Sequence, residues 1–265
     1  MPTLEEVVAG IELFRYAKKF IDWLKIRKID EPYYFDEYNK KVFVKNNGDG
    51  VIVWYTKLHV INPAQSNKII RTIDISDAKV TSEFPSVSDM IAQGDKAPFE
   101  TFGIWYRSDN DLITDIVEVY DEVDKHRQYD KKFLSFQLVL NSAALEENGV
   151  YNIIFAISIP GMFRIENGRY SGTVDEHKKD GPYRTSLTTY RTQKKLSYSI
   201  YTEKDMVFSK KPHAICKGIK TKGNPIENKC KYRNNMFYEK FWFTLENPQE
   251  YDIIYMEWDL KNQKS

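Results

Sequence analysis

The chain has 265 residues, 42% hydrophobic and 14% aromatic, enough to bury one large core or two cores of about 110 to 120 residues each. Lysine and arginine number 39 against 38 aspartate and glutamate, which excludes a global field for nucleic acid or anionic membrane and makes any electrostatic function local. Two cysteines, Cys216 and Cys230, are too few for a disulfide-built secreted scaffold. Acidic residues at Glu5, Glu6 and Glu12 disfavour a signal peptide, and no apolar run reaches the roughly 18 residues of a transmembrane helix, so a cytoplasmic location is expected.

The first predicted element is a long amphipathic helix over residues 3 to 28. Thr3 and Glu6 form a capping box, Lys25, Arg27 and Lys28 suit the negative end of the macrodipole, and Pro32 stops propagation. Leu4, Val7, Val8, Ile11 and Phe14 make one apolar stripe, continued by Ala17, Ile21 and Leu24. Leu13, Tyr16, Phe20 and Trp23 widen it beyond what one flat contact covers. Three uses fit: packing against the chain's own sheets, self-association through Tyr16, Phe20 and Trp23, or lying on a membrane surface.

From Tyr33 onward the apolar period changes from 3.6 to 2. Val42 and Val44, then Ile52, Trp54, Leu58 and Val60, predict a hairpin whose turn draws on Gly48 and Gly50 for positive φ. Further strands are expected at 68–75, 100–107, 132–140, 150–160, 184–190, 195–202, 237–245 and 251–260. Residues 111–124 fit a strand or a helix, because Ile113, Ile116, Val117 and Tyr120 also recur at helical spacing. Residues 210–233 read as a long loop broken by Gly218, Gly223 and Pro225.

This order predicts a mainly β protein: two tandem antiparallel β-sandwich domains behind the helix. The expected divisions are 1–31 for the helix, 32–143 for the first sandwich and 144–265 for the second, joined through the polar stretch 141–150. The resemblance to Ig-like sandwiches is architectural, since the Cys and Trp spacing of immunoglobulin domains is absent. No family motif is recognisable.

Chemistry-bearing constellations are sparse. Phosphate-binding glycine loops, a nucleophile elbow and a helical zinc motif are all missing from the sequence. His59 sits in an alternating strand as a cross-strand packing residue. His177 has Asp175 and Glu176 beside it, which offers an acid and base pair for a hydrolase. His213, Cys216 and Cys230 offer three soft metal ligands without a fourth, or a thiol and imidazole pair, or two ordinary small hydrophobes. Asp109, Asp111 and Asp115 alternate like a calcium loop but lack its central Gly and closing Glu. Neither a metal nor a cofactor is expected.

Charge segregation is the stronger signal. Acidic residues Asp109, Asp111, Asp115, Glu118, Asp121, Glu122 and Asp124 form one block without a base among them. Lys210, Lys211, Lys217, Lys220, Lys222, Lys229, Lys231 and Arg233 form another, interrupted only by Glu227. Such blocks are solvated faces or interaction surfaces. The favoured expectation is a non-enzymatic recognition or scaffold protein that self-associates through its helix and binds a protein, an acidic surface or an anionic small ligand through the basic residues. A membrane-surface effector and a His-centred hydrolase are the alternatives; specific nucleic-acid binding is not expected.

Overall fold

The computed structural model describes residues 32–46, 48–74, 89–90, 102–118, 133–160, 165–166, 169–170, 183–188, 192–204, 206, 208–217, 226–248 and 253–260. The expected helix lies outside them, as do Tyr16, Phe20, Trp23, Asp175, Glu176 and His177. Among the described residues the regular structure is mainly β, with sixteen strands. None of the described helical segments is long and apolar enough to cross a membrane.

The first hairpin forms where alternation places it. β1 (Tyr33–Val44) and β2 (Gly50–Val60) pair from Val44↔Gly50 to Tyr33↔Val60, so Val42, Val44, Ile52, Leu58 and Val60 are buried together. Gly48 takes φ 85° in the turn, whereas Gly50 is already the first extended residue of β2. β3 (Lys68–Asp74), β4 (Gly103–Ser108), β5 (Ile113–Glu118), β6 (Phe133–Leu140) and β7 (Val150–Ile159) follow. Of the ambiguous segment 111–124, Ile113–Glu118 is strand, with Ile113 and Ile116 buried at the spacing a bulge permits, and residues 119–124 lie outside the described residues.

After two short pieces, β8 (Ile165–Glu166) and β9 (Arg169–Tyr170), come β10 (Tyr183–Thr188), β11 (Thr192–Glu203), β12 (Phe208–Lys217), β13 (Ile226–Lys229), β14 (Lys231–Asn234), β15 (Tyr238–Glu246) and β16 (Ile253–Leu260). Here the expectation of a loop over 210–233 is corrected. The described parts of that segment are strands, because main-chain pairing with β15 and β16 outweighs the weak β propensity of lysine and proline.

The sheets are ordered β14-β15-β11-β1-β2-β7-β4, β10-β16-β12-β13 and β3-β6-β5, with β8-β9 as a separate pair. The largest draws on both sides of the boundary expected at 143/144: β2 pairs with β7, and β1 pairs with β11. The division therefore does not separate two sheets. Nor is all pairing antiparallel, since β1 and β11 run parallel from Phe35↔Thr192 to Val44↔Thr202. One core cluster joins all three sheets, with Trp54, Phe155, Tyr198 and Ile200 from the large sheet, Phe136 and Leu138 from the three-stranded one, and Ala214, Met256 and Trp258 from the four-stranded one. The Phe136 and Phe155 rings stack at 4.7 Å, and Phe208 meets Phe241 edge to face at 5.4 Å. The large sheet thus has one face in the core and the other turned away from it.

The stretch 141–150 is a fixed connection. The Asn141 side chain accepts from the amide of Ala143; Tyr151 Oη accepts from the amide of Glu146 at 2.8 Å and donates to the carbonyl of Ala144 at 3.1 Å. Main-chain bonds between Val60 and both Asn148 and Gly149 tie the segment to the end of β2.

Candidate binding surface

Residues 226–234 are one extended run that changes sheets at Cys230, pairing first with β12 as β13 and then with β15 as β14. Cys230 faces the core, its Sγ donating to Met256 Sδ at 3.7 Å. Strand alternation then turns Glu227, Lys229, Lys231 and Arg233 outward, and all four are exposed. The sequence block becomes a basic edge because its cations occupy every second position.

Neighbouring strands extend that edge into a surface. Register places Arg233 opposite Lys240 and Lys231 opposite Trp242, then Trp242 opposite Ser199 and Ser199 opposite Lys41. The Lys240 ammonium lies 4.8 Å from the Trp242 ring centre and 5.2 Å from that of Tyr201, and Lys41 lies 3.9 Å over Tyr55. Burial, and secondly the charge of Lys240, lower the pKa of Lys41. On the other side of the edge, Lys211 reaches Tyr232 at 5.2 Å. Tyr232 donates its hydroxyl to Glu239 at 2.5 Å, which raises its pKa. Among the described residues, Lys41, Lys211, Lys229, Lys231, Arg233 and Lys240 have no ion-pair partner.

The turn between β14 and β15 stands at the end of this surface. Asn235 Oδ1 accepts from the amides of Phe237 and Tyr238 at 2.9 and 2.8 Å, and its own amide donates to the carbonyl of Tyr238. That closed turn holds Met236 and Phe237 outward, each 76% exposed. Tyr232 and Tyr238, at 45% and 37% exposure, flank them. Lys41, Lys240, Met236 and Phe237 belong to no charge block or motif of the sequence. The apolar pair following Asn234 and Asn235 was a local signal; the positions of Lys41 and Lys240 depend on long-range register.

Lys210 has a different role. Its Nζ donates to the buried Glu257 Oε2 at 3.2 Å, where His213 Nε2 also approaches to 3.2 Å, with Glu227 Oε1 3.6 Å from the same nitrogen. Lys217 ends β12, and Lys220 and Lys222 lie outside the described residues. Three positions apart on one strand, His213 and Cys216 project to opposite faces, which separates them as paired ligands or as a thiol and imidazole. Burial and the nearby Cys216 raise the Cys230 thiol to about 12, so it remains protonated and a poor nucleophile at neutral pH. Among the described residues no group of three His, Cys, Asp or Glu side chains is placed to hold a metal. Asp109 accepts from the amide and side chain of Asn152 on β7, 43 residues away, and Asp115, at the bulge of β5, accepts from the amide of Ile116, so both aspartates have structural partners.

A second polar group centres on Asp36, which forms the bulge between Phe35 and Glu37. Its buried Oδ2 accepts from Lys194 at 2.8 Å and lies 3.9 Å from His59 Nδ1. Tyr34 bonds the same His59 nitrogen at 2.9 Å and stacks on its ring, as cross-strand packing requires. Hydrogen bonding to Asp36 raises the pKa of Lys194, while burial raises that of Tyr34.

No family model matches the chain, and no curated protein matches it. Among solved structures it is similar to that of "a putative protease" from Parabacteroides distasonis ATCC 8503, with 11% identity and a TM-score of 0.49, over 85% of this chain and 40% of that one. It is also similar to a two-domain M1 zinc metallopeptidase bound to L-tryptophan, with 6% identity and a TM-score of 0.36, over 86% of this chain and 43% of that one. The chain thus spans less than half the length of either structure.

Proposed function

We propose that this protein is a non-enzymatic recognition module that takes an anionic partner on the basic surface of β12, β13, β14, β15 and β1. The observation that carries the reading is the set of six cations without an ion-pair partner among the described residues, Lys41, Lys211, Lys229, Lys231, Arg233 and Lys240. Lys41 and Lys240 repel each other on the same sheet face, an arrangement that an incoming anion relieves. Individual exposed ion pairs contribute only about 0 to 1 kcal/mol, so useful affinity comes from several acting together and weakens with salt. Self-association through the N-terminal segment, at Tyr16, Phe20 and Trp23, is part of the same proposal and rests on the breadth of that segment's apolar arc.

Polyglutamate binding tests the surface. The protein binds at low salt, and Lys231→Glu with Arg233→Glu and Lys240→Glu reduces binding at least tenfold with an unchanged circular dichroism spectrum. Equal binding by the triple variant rejects the reading. Phe20→Asp with Trp23→Asp lowers the sedimenting mass if the segment self-associates; an unchanged mass removes that part.

A further inference from the structure

We infer that the β14–β15 hairpin is a membrane-contacting wedge, with Met236 and Phe237 entering the interfacial region of an anionic bilayer while Lys211, Lys231, Arg233 and Lys240 meet its headgroups. The inference rests on the anionic-partner reading and names that partner as a lipid surface. Its starting point is the pair of apolar side chains at the tip, held outward by the Asn235 bonds that close the turn. Their exposure is a property of the fixed turn, since neither folds back onto the sheet.

The composition of the hairpin changes with distance from its tip. Met236 and Phe237 come first with the half-exposed ring of Tyr238 beside them; then Asn234 faces Glu239, Arg233 faces Lys240, Tyr232 faces Phe241 and Lys231 faces Trp242. Apolar tip, Tyr238 ring and then the cations Arg233 and Lys240, with Lys231 further back, match the order of acyl boundary, carbonyl region and phosphate counted outward from the interior of an anionic leaflet. Tyr232 keeps its hydroxyl satisfied by Glu239 while Lys211 lies over its ring, an arrangement suited to the wet side of that boundary. A protein partner would need to cover on the order of 800 Å² per side, whereas two convex side chains offer a small fraction of that area. A bilayer requires no matching pocket.

The test uses the full chain and vesicles of phosphatidylserine and phosphatidylcholine in equal parts, compared with phosphatidylcholine alone. The protein sediments with the anionic vesicles and stays free with the neutral ones. Replacing Lys231 and Arg233 by alanine weakens partition roughly twenty-five-fold, at about fivefold per charge. Met236→Ser with Phe237→Ser weakens it roughly tenfold while polyglutamate binding is kept. An added tryptophan, Phe237→Trp, shifts its emission to the blue on binding and is quenched by brominated acyl chains, read as the difference from the parent protein. A serine tip that partitions like wild type overturns the wedge, and so does a Phe237→Trp difference signal untouched by brominated lipid. Polyglutamate binding without binding to either vesicle overturns the wedge and leaves the anionic-partner reading standing; loss of both removes both.

Discussion

A methyl group at Gly149 would lie 2.7 Å from the Tyr151 hydroxyl oxygen, 2.8 Å from its ring and 2.9 Å from the Glu146 carbonyl. Two of these contacts are with the tyrosine whose hydroxyl closes the connection before β7, so the glycine and the ring form one device. Gly149→Ala should cost about 1 to 3 kcal/mol through overpacking. Tyr151→Phe should cost about 1 to 2 kcal/mol by removing the partner of the Glu146 amide. Urea denaturation of both variants, with the double variant to measure their coupling, checks this. Two lysines of one sequence block should separate in the same assay. Lys210→Met removes one charged hydrogen bond to the buried Glu257 and lowers stability by about 1 to 3 kcal/mol, with polyglutamate binding retained. Lys231→Met changes stability by no more than about 0.5 kcal/mol and weakens binding.

At the scale of elements, β1 carries two lysine-type effects of opposite sign. Lys41 loses its proton more readily in the folded chain, so between its lowered pKa and the ordinary 10.5 the folded state binds fewer protons and stability rises with pH. Lys194, bonded to Asp36 on β1, has a raised pKa; its contribution is complete below 10.5 and is lost as pH climbs through the folded value. Denaturation across the alkaline range should therefore show a steeper loss of stability in Lys41→Met, which deletes the compensating rise, and a shallower one in Lys194→Met. The first hairpin was legible in the sequence because its period and its turn are local. β12, β13 and β14 were not, since lysines and Pro212 depress β propensity while the compensating partners lie in β16 for β12, in β12 for β13 and in β15 for β14. The same distinction divides the binding surface. Lys229, Lys231 and Arg233 stood out as a charge block, but joining them to Lys240 and Lys41 required the β14-β15-β11-β1 order, which no local pattern encodes.

For the whole molecule, a sheet that takes strands from both sides of residue 143, packed on a shared core, should unfold as one cooperative unit. Fluorescence and circular dichroism transitions should coincide. Fragments 32–143 and 144–265, made separately, should lack the dispersed amide signals of a folded sheet, because β2 loses β7 and β1 loses β11; two independently folded fragments would refute this. The parallel contact between β1 and β11 also sets a timetable. Asn46 donates its amide to Glu203, 157 residues further along the chain. At about 5 to 20 residues per second, a ribosome needs roughly eight to thirty seconds to traverse that interval. For all that time β1 has one open edge, a row of main-chain donors and acceptors ready to accept a strand from any neighbouring nascent chain. Synthesis rate and chaperone supply should therefore govern the yield of this protein more strongly than its final stability does. A message truncated before β11 should produce an aggregating product even though the first hairpin is complete.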